Sequence, residues 1–324
     1  MKSFLKQDNM LLHCLRSYIH VTKASTLHIF HRGDRHVGRN SLRQTNNKQQ
    51  GFTLVELVIV IVLLGIMAVG ITGFITLSTQ TYINVADRDE LISSARFAVE
   101  RLNREIRNAV PNSVRVKQTV FAGFNIQCIE FVPTVASTTY IDIPVSPEIA
   151  TDILTVIPFI GSDGNNYQCT GNCLDAVVVY PLNSGDLFNN QFDGVGKVFG
   201  LKTVTVSSAI EWALTLDRSL GVIFDDNSPT QRLFIIRAPV SYCVASNSLL
   251  RYDNYGYSPT QLVPPIAPAK LMAEDIVNMD LNESAFSMLN ATLQRNALVD
   301  IKLHFSRNNE NIIFDNQIHI SNIP

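Results

Sequence analysis

Glu56 is the residue whose type and position most need explaining. It lies in the run F-T-L-V-E-L-V-I-V-I-V-L-L-G-I-M-A-V-G-I-T-G-F-I-T-L, and from Leu57 to Ala86 no residue carries a charge. Roughly 20 apolar residues cross the hydrocarbon core of a bilayer as a helix. A helix is also the one single-segment structure that bonds all of its own amides and carbonyls in lipid. An ionised acid in that setting costs roughly 3 kcal/mol or more, so it marks a site unless it merely reaches the headgroups from the helix end.

Other residues capable of chemistry lie further on, without a catalytic pattern. No G-x-S-x-G, H-E-x-x-H, P-loop or G-x-G-x-x-G occurs there, and neither an enzymatic activity nor a cofactor is expected. Cys14 precedes the apolar run, while Cys128, Cys169, Cys173 and Cys243 follow it, an even number suited to an oxidising compartment. Four cysteines allow three pairings, and the sequence does not choose among them. The favoured one joins Cys169 to Cys173 across C-T-G-N-C and Cys128 to Cys243 as a long staple. A zinc site is not expected, since only His304 and His319 accompany them and no second cysteine pair is present. Those two histidines read as exposed strand residues. The loop G-D-L-F-N-N-Q-F-D-G, with Asp186, Asn189, Asn190 and Asp193, offers oxygen ligands but lacks the spacing and final glutamate of a calcium loop, so it reads as a polar turn. Tyr242, Tyr252, Tyr255 and Tyr257 could stack on a sugar, but their spacing suits the core and rim of a sheet better.

The elements that carry these residues fall into two kinds. Leu91, Ala95, Ala98, Leu102, Ile106 and Ala109 trace one helical stripe, with Arg88, Arg96, Arg101, Arg104 and Arg107 on the opposite face. Glu100–Arg104 and Arg101–Glu105 form i,i+4 pairs, and Pro111 ends the pattern. One helix from Phe52 to Val110 is therefore expected, roughly 90 Å long at about 1.5 Å per residue, with 54–79 transmembrane. Beyond Pro111 β-branched runs and turn residues take over. Strands are expected at Ser113–Gln118, Ile126–Val132, Ala176–Tyr180, Leu201–Val206, Arg232–Pro239, Val240–Ala245 and Leu249–Tyr252. Leu298–Ser306 and Ile312–Ile320 form a hairpin in which Val299, Ile301, Leu303 and Phe305 alternate with wet residues. A short helix is expected around Ala269–Met279. The fold class is α+β: a long N-terminal helix, its first half transmembrane, packed on a mainly antiparallel β head at 111–324.

Charge orients this arrangement. Residues 1–51 carry nine Lys or Arg against Asp8 and Asp34, or +7, which leaves 17 basic against 26 acidic residues, or −9, for 52–324. Positive flanks stay cytoplasmic, so the β part faces outward, and its acidity argues against nucleic-acid binding. Residues 1–51 are polar and basic toward their end and read as a segment outside the fold.

G-F-T-L-V-E-L (Gly51–Leu57) after a basic segment and before an unbroken apolar helix resembles the processing site of the type IV prepilin class, which includes type IV pilins and the pseudopilins of type II secretion. The resemblance implies cleavage between Gly51 and Phe52 by prepilin peptidase, N-methylation of Phe52, and a register role for Glu56, which pairs with the terminal amine of a neighbouring subunit. A buried acid is tolerable once a cation meets it, and the pairing then fixes axial register. Beside the short leaders of the prepilin class that the segment Gly51–Leu57 resembles, the length of residues 1–51 implies a true start nearer Val37 or Leu42. S-A-R-F-A-V-E-R-L-N-R-E-I-R-N-A-V-P-N-S-V-R-V (Ser94–Val116), with P-V-S-Y-C-V and L-L-R-Y-D-N-Y-G-Y further on, is similar to minor pilin-like subunits of mannose-sensitive haemagglutinin (MSHA) pilus systems. The helix is more distantly similar to the J-type minor pseudopilin. The implied partners are prepilin peptidase, other minor and major pilins, an inner-membrane assembly platform and membrane lipid. The implied location is the inner membrane, single-pass with a periplasmic C-terminal domain, or a surface pilus. Two alternatives are a secretion pseudopilin and a glycan-binding tip adhesin.

Overall fold

The computed structural model describes residues 51–171, 173–188, 194–289, 297–308 and 310–320. Helix α1 runs from Leu54 to Arg107 without a proline. Valine, isoleucine and threonine are indifferent helix formers in water, but in lipid a backbone with no outside partner must bond to itself. The hydroxyls in the apolar stretch follow the same rule. Thr72 donates to the Ala68 carbonyl at 3.0 Å, Thr76 to Thr72 at 2.9 Å and Thr81 to Leu77 at 2.9 Å. The most apolar window of α1 has a mean hydropathy of 3.0, none of it covered by protein. It is one helix long and apolar enough to cross a membrane, consistent with membrane anchoring.

The described chain divides into two units between Met67 and Ala68. In the second unit α1 changes character. Leu91, Ala95, Ala98, Val99, Leu102 and Ile106 are buried on one stripe. The helix stops at Arg107, short of Pro111, because the next residues already belong elsewhere: the Val110 amide donates to the Val132 carbonyl at 2.9 Å. Ala109 stays buried just beyond the helix end.

The head begins with a hairpin of β1 (Arg115–Phe121) and β2 (Phe124–Phe131). Ala122 (φ 52°) and Gly123 (φ 85°) both take the left-handed region that a two-residue hairpin turn demands. The chain then leaves this sheet and builds a closed antiparallel barrel. Its strands are β3 (Thr134–Asp142), β4 (Ile153–Val156), β5 (Ala176–Val179), β7 (Val198–Val206), β8 (Trp212–Leu216) and β10 (Arg232–Ile236), in the order β10-β3-β4-β8-β7-β5. A short helix α2 (Ser184–Phe188) and a parallel pair of β6 (Val195–Gly196) with β9 (Ile223–Phe224) lie on its connections. The chain returns as β11 (Val240–Ala245), which pairs with β2, so the barrel is an insertion between two adjacent strands. β12 (Ser248–Tyr252) and β13 (Lys270–Glu274) complete a five-stranded antiparallel sheet, and β14 (Phe286–Leu289), β15 (Ala297–Arg307) and β16 (Glu310–Ile320) form a second.

The α1 stripe, the inner face of the first sheet and Val299, Ile301, Leu303 and Phe305 of β15 share one core. The barrel has its own, around Leu154, Val179, Trp212, Leu214 and Leu233. Gln127 ties the two sheets together: its amide donates to the Phe286 carbonyl at 2.9 Å, and its oxygen accepts from the Ala285 amide at 2.7 Å. The alternation expected for the last hairpin is seen along β15, where every second residue from Ala297 to Phe305 is buried.

The helix expected at Ala269–Met279 is instead strand β13. Its residues are good helix formers, but Leu249 faces Ala273 and Arg251 faces Lys270 at the sheet edge, and burial of Met272 and Ala273 outweighs propensity. Strands β3, β4, β8 and β14 were not expected at all.

The structure joins Cys128 to Cys243 across 115 residues and Cys169 to Cys173 across 4. The first bond links directly opposed residues of β2 and β11, the two strands from which the barrel departs. In the chain-entropy picture a loop of that length stabilises by about 5 kcal/mol and the short one by about 2 kcal/mol. Replacing Cys128 and Cys243 by serine is therefore expected to lower the urea midpoint of the head well below that of the Cys169/Cys173 double variant, followed by Trp212 fluorescence. Equal losses would mean that the barrel insertion does not depend on its staple.

Candidate functional site: the N-terminal segment

Gly51, Phe52 and Thr53 lie outside α1 and are exposed, with the Phe52 side chain 78% accessible. Nothing stands within 4 Å of where a side chain on Gly51 would begin. An uncovered, non-helical peptide bond is the form a peptidase can take up without unwinding the helix. Thr53 closes the helix behind it. Its hydroxyl accepts from the Glu56 amide at 3.3 Å and its carbonyl from the Leu57 amide at 3.2 Å, so Thr53 is the N-cap and Glu56 the third helical residue. T-L-V-E is thus a capping-box sequence, a signal present in the chain that the sequence reading passed over.

Glu56 is the acid of the first turn, where the positive end of the helix favours it. Its carboxylate joins none of the ion pairs among the described residues. The next basic residue along the helix is Arg88, about 48 Å away at roughly 1.5 Å per residue. Hydrolysis of the Gly51–Phe52 bond would create a new α-amine, protonated at neutral pH with a usual pKa of about 8. That amine, one residue before the N-cap Thr53, would stand four residues ahead of Glu56 in the chain, one positive and one negative.

The other expected sites resolve differently. His304 faces Ile313 and His319 faces Leu298, so the pair is not brought together. His304 is not exposed: its side chain is 14% accessible, 3.8 Å from Glu283. Asn189, Asn190 and Asp193 lie outside the described residues. Asp186 is committed to Lys197 at 3.4 Å and to the Leu182 amide at 2.8 Å. Among the described residues no group of three His, Cys, Asp or Glu could hold a metal ion.

The four tyrosines do not form a platform. Tyr242 and Tyr252 are buried, and Tyr255 and Tyr257 are half-buried. The Tyr255 hydroxyl donates to Glu130 at 2.8 Å, and Tyr257 donates to the Arg237 carbonyl at 3.1 Å. Sugar stacking loses its candidate. Two buried acids escaped the sequence reading, because nothing local marks them. Glu130 is paired with Arg115, which also binds the carbonyls of Ser258 and Pro259 and so pins the long loop after β12. Asp175 takes the Tyr167 hydroxyl at 2.8 Å and Arg237 at 2.9 Å.

Comparison with known proteins bears on the N-terminal segment alone. The family model for the prokaryotic N-terminal methylation motif matches residues 46–72, which include Gly51, Phe52, Thr53 and Glu56. No curated protein and no solved structure matches the chain. The match supports a type IV pilin-like or pseudopilin protein.

Burial raises the pKa of Tyr167, helped by its bond to Asp175; burial likewise raises Tyr242, beside Glu105, and Tyr255, beside Glu130. The folded head holds these protons above the ordinary tyrosine value of about 10. Their contribution is complete below that pH and is lost as pH rises beyond it, by about 1.4 kcal/mol per pH unit for each such tyrosine. The urea midpoint is expected to be flat up to about pH 10 and to fall above it, with a shallower fall in Tyr255→Phe. A midpoint unchanged into strong alkali would contradict this.

Proposed function

We propose that the chain is a minor pilin-like subunit, similar to MshO of the MSHA pilus system, which primes or caps assembly of a type IV pilus. Residues 1–51 are removed by prepilin peptidase and Phe52 becomes the N-methylated terminus. The apolar part of α1 stores the subunit in the inner membrane with the head in the periplasm. Glu56 then receives the terminal amine of a neighbouring pilin, and the helices bundle at the assembly platform. The observation that carries this reading is Glu56 itself, a carboxylate in the capped first turn of an uncovered apolar helix with no ion-pair partner among the described residues.

Two further features support it. The patches that resemble MshO fall on the head part of α1, on β1 and on β11–β12, the elements that hold the stem in the head rather than the barrel. The part after Gly51 has 273 residues, bulky for a repeating shaft subunit and better suited to a low-copy place at a tip or in initiation. No catalytic constellation is assigned, and a non-enzymatic role is part of the proposal.

Glu56→Val should leave cleavage and methylation intact while strongly reducing recovery of the chain in filaments or minor-pilin complexes, measured by shearing and immunoblotting. Undiminished incorporation would remove the register role.

A further inference from the structure

The two crossings between the first sheet and the barrel, β2 into β3 and β10 into β11, frame an open cleft of about 520 Å³ beside the end of α1. Asn108, Thr134, Ser162, Arg237, Arg251 and Asn254 are on its walls, so stem, barrel and sheet all contribute. A cleft between packed substructures, with convergent polar groups, is a usual place for a small ligand.

The charges of this cleft are unevenly committed. Glu105 accepts from Arg101 on one oxygen and from Arg251 on the other, each at 3.0 Å. Asp253 is held by Arg251 and by Lys270. Arg237 bonds Asp175 through Nε at 2.9 Å and through Nη2 at 3.4 Å. The carboxylates are taken, whereas Nη1 of Arg237 and Nη2 of Arg251 make no hydrogen bond among the described residues. Arg101, Arg237, Arg251 and Lys270 together meet three carboxylates, which leaves one positive charge in excess. The side chains of Asn108, Thr134, Ser162 and Asn254 likewise bond to no protein group among the described residues.

These groups specify a ligand. One net positive charge and two spare guanidinium edges suit a single carboxylate, which takes N–H donors in pairs. A phosphate ester, with a charge of about −2 at neutral pH, would leave the set negative. Two amides and two hydroxyls suit a ring of hydroxyl groups, and Val135 and Val240 offer an apolar wall to the C–H face of a sugar. We propose that this cleft binds the terminal hexuronic acid residue of a glycan, its carboxylate on Arg237 and Arg251 and its hydroxyls on the amide and hydroxyl side chains. Arg237 follows the last barrel strand and Arg251 lies in β12, so the bound sugar ties barrel to sheet across the crossings.

The site shares no residue with the N-terminal segment, so this inference and the pilin-like reading can fail separately. The full chain, in lauryldimethylamine oxide micelles, is titrated with methyl glucuronide and followed by ligand-observed NMR. Saturable binding is expected, with methyl glucoside and inorganic phosphate each at least roughly tenfold weaker. Ser162 is exposed and its backbone amide holds the Val135 carbonyl at 2.8 Å, so substitution there should keep the fold, checked by Trp212 fluorescence. Ser162→Glu places a carboxylate in the cleft and should weaken methyl glucuronide roughly tenfold, whereas Ser162→Lys should not weaken it. No saturable binding, equal affinity for methyl glucoside or for phosphate, or the same response to Ser162→Glu and Ser162→Lys would overturn the proposal.

Discussion

Glu56 stands at the start of an apolar helix that brings no cation near it, and the local structure of the N-terminal segment is organised around that charge. Thr53 fixes where the helix begins and holds the acid in the first turn, favoured by the helix dipole. The Gly51–Phe52 bond is left outside the helix and open. A positive group supplied from elsewhere would settle the carboxylate and fix the position of its owner along the helix. In the proposed role that attraction would be stronger in a dry apolar bundle than in water, and would act as a switch between storage in lipid and assembly.

The second half of α1 turns the same helix into a handle for the head. Its buried stripe is shared between two antiparallel sheets, and Gln127 bonds one sheet to the other, so stem and sheets form a single core. The six-stranded barrel is added without disturbing that core. It leaves and re-enters through neighbouring strands, and the Cys128–Cys243 bond closes its base.

The helix, its stripe and the last hairpin were legible in the sequence because each has a strict period: Leu91 to Ile106 at three and four, Val299 to Phe305 at two. The N-terminal methylation motif was legible for a different reason, since Gly51, Phe52, Glu56 and the apolar run must coincide, and the family model matches across them. What escaped depended on distant partners. β3 is rich in threonine and shows its alternation only once β10 and β4 flank it. The Ala269–Met279 stretch has helix-forming residues, but β12 offers it an open edge. Glu130 and Asp175 are ordinary acids in the sequence, and only the fold brings Arg115 and Arg237 to them.

The most direct measurement is the identity of the N-terminal residue in protein extracted from membranes of cells with active prepilin peptidase, determined by mass spectrometry. An N-methylated phenylalanine corresponding to Phe52 is the expected result, and it would place Glu56 and a methylated amine at the same end of every subunit. A chain that retains residues upstream of Phe52 would contradict this account and leave a membrane-anchored β domain whose methylation motif is unused.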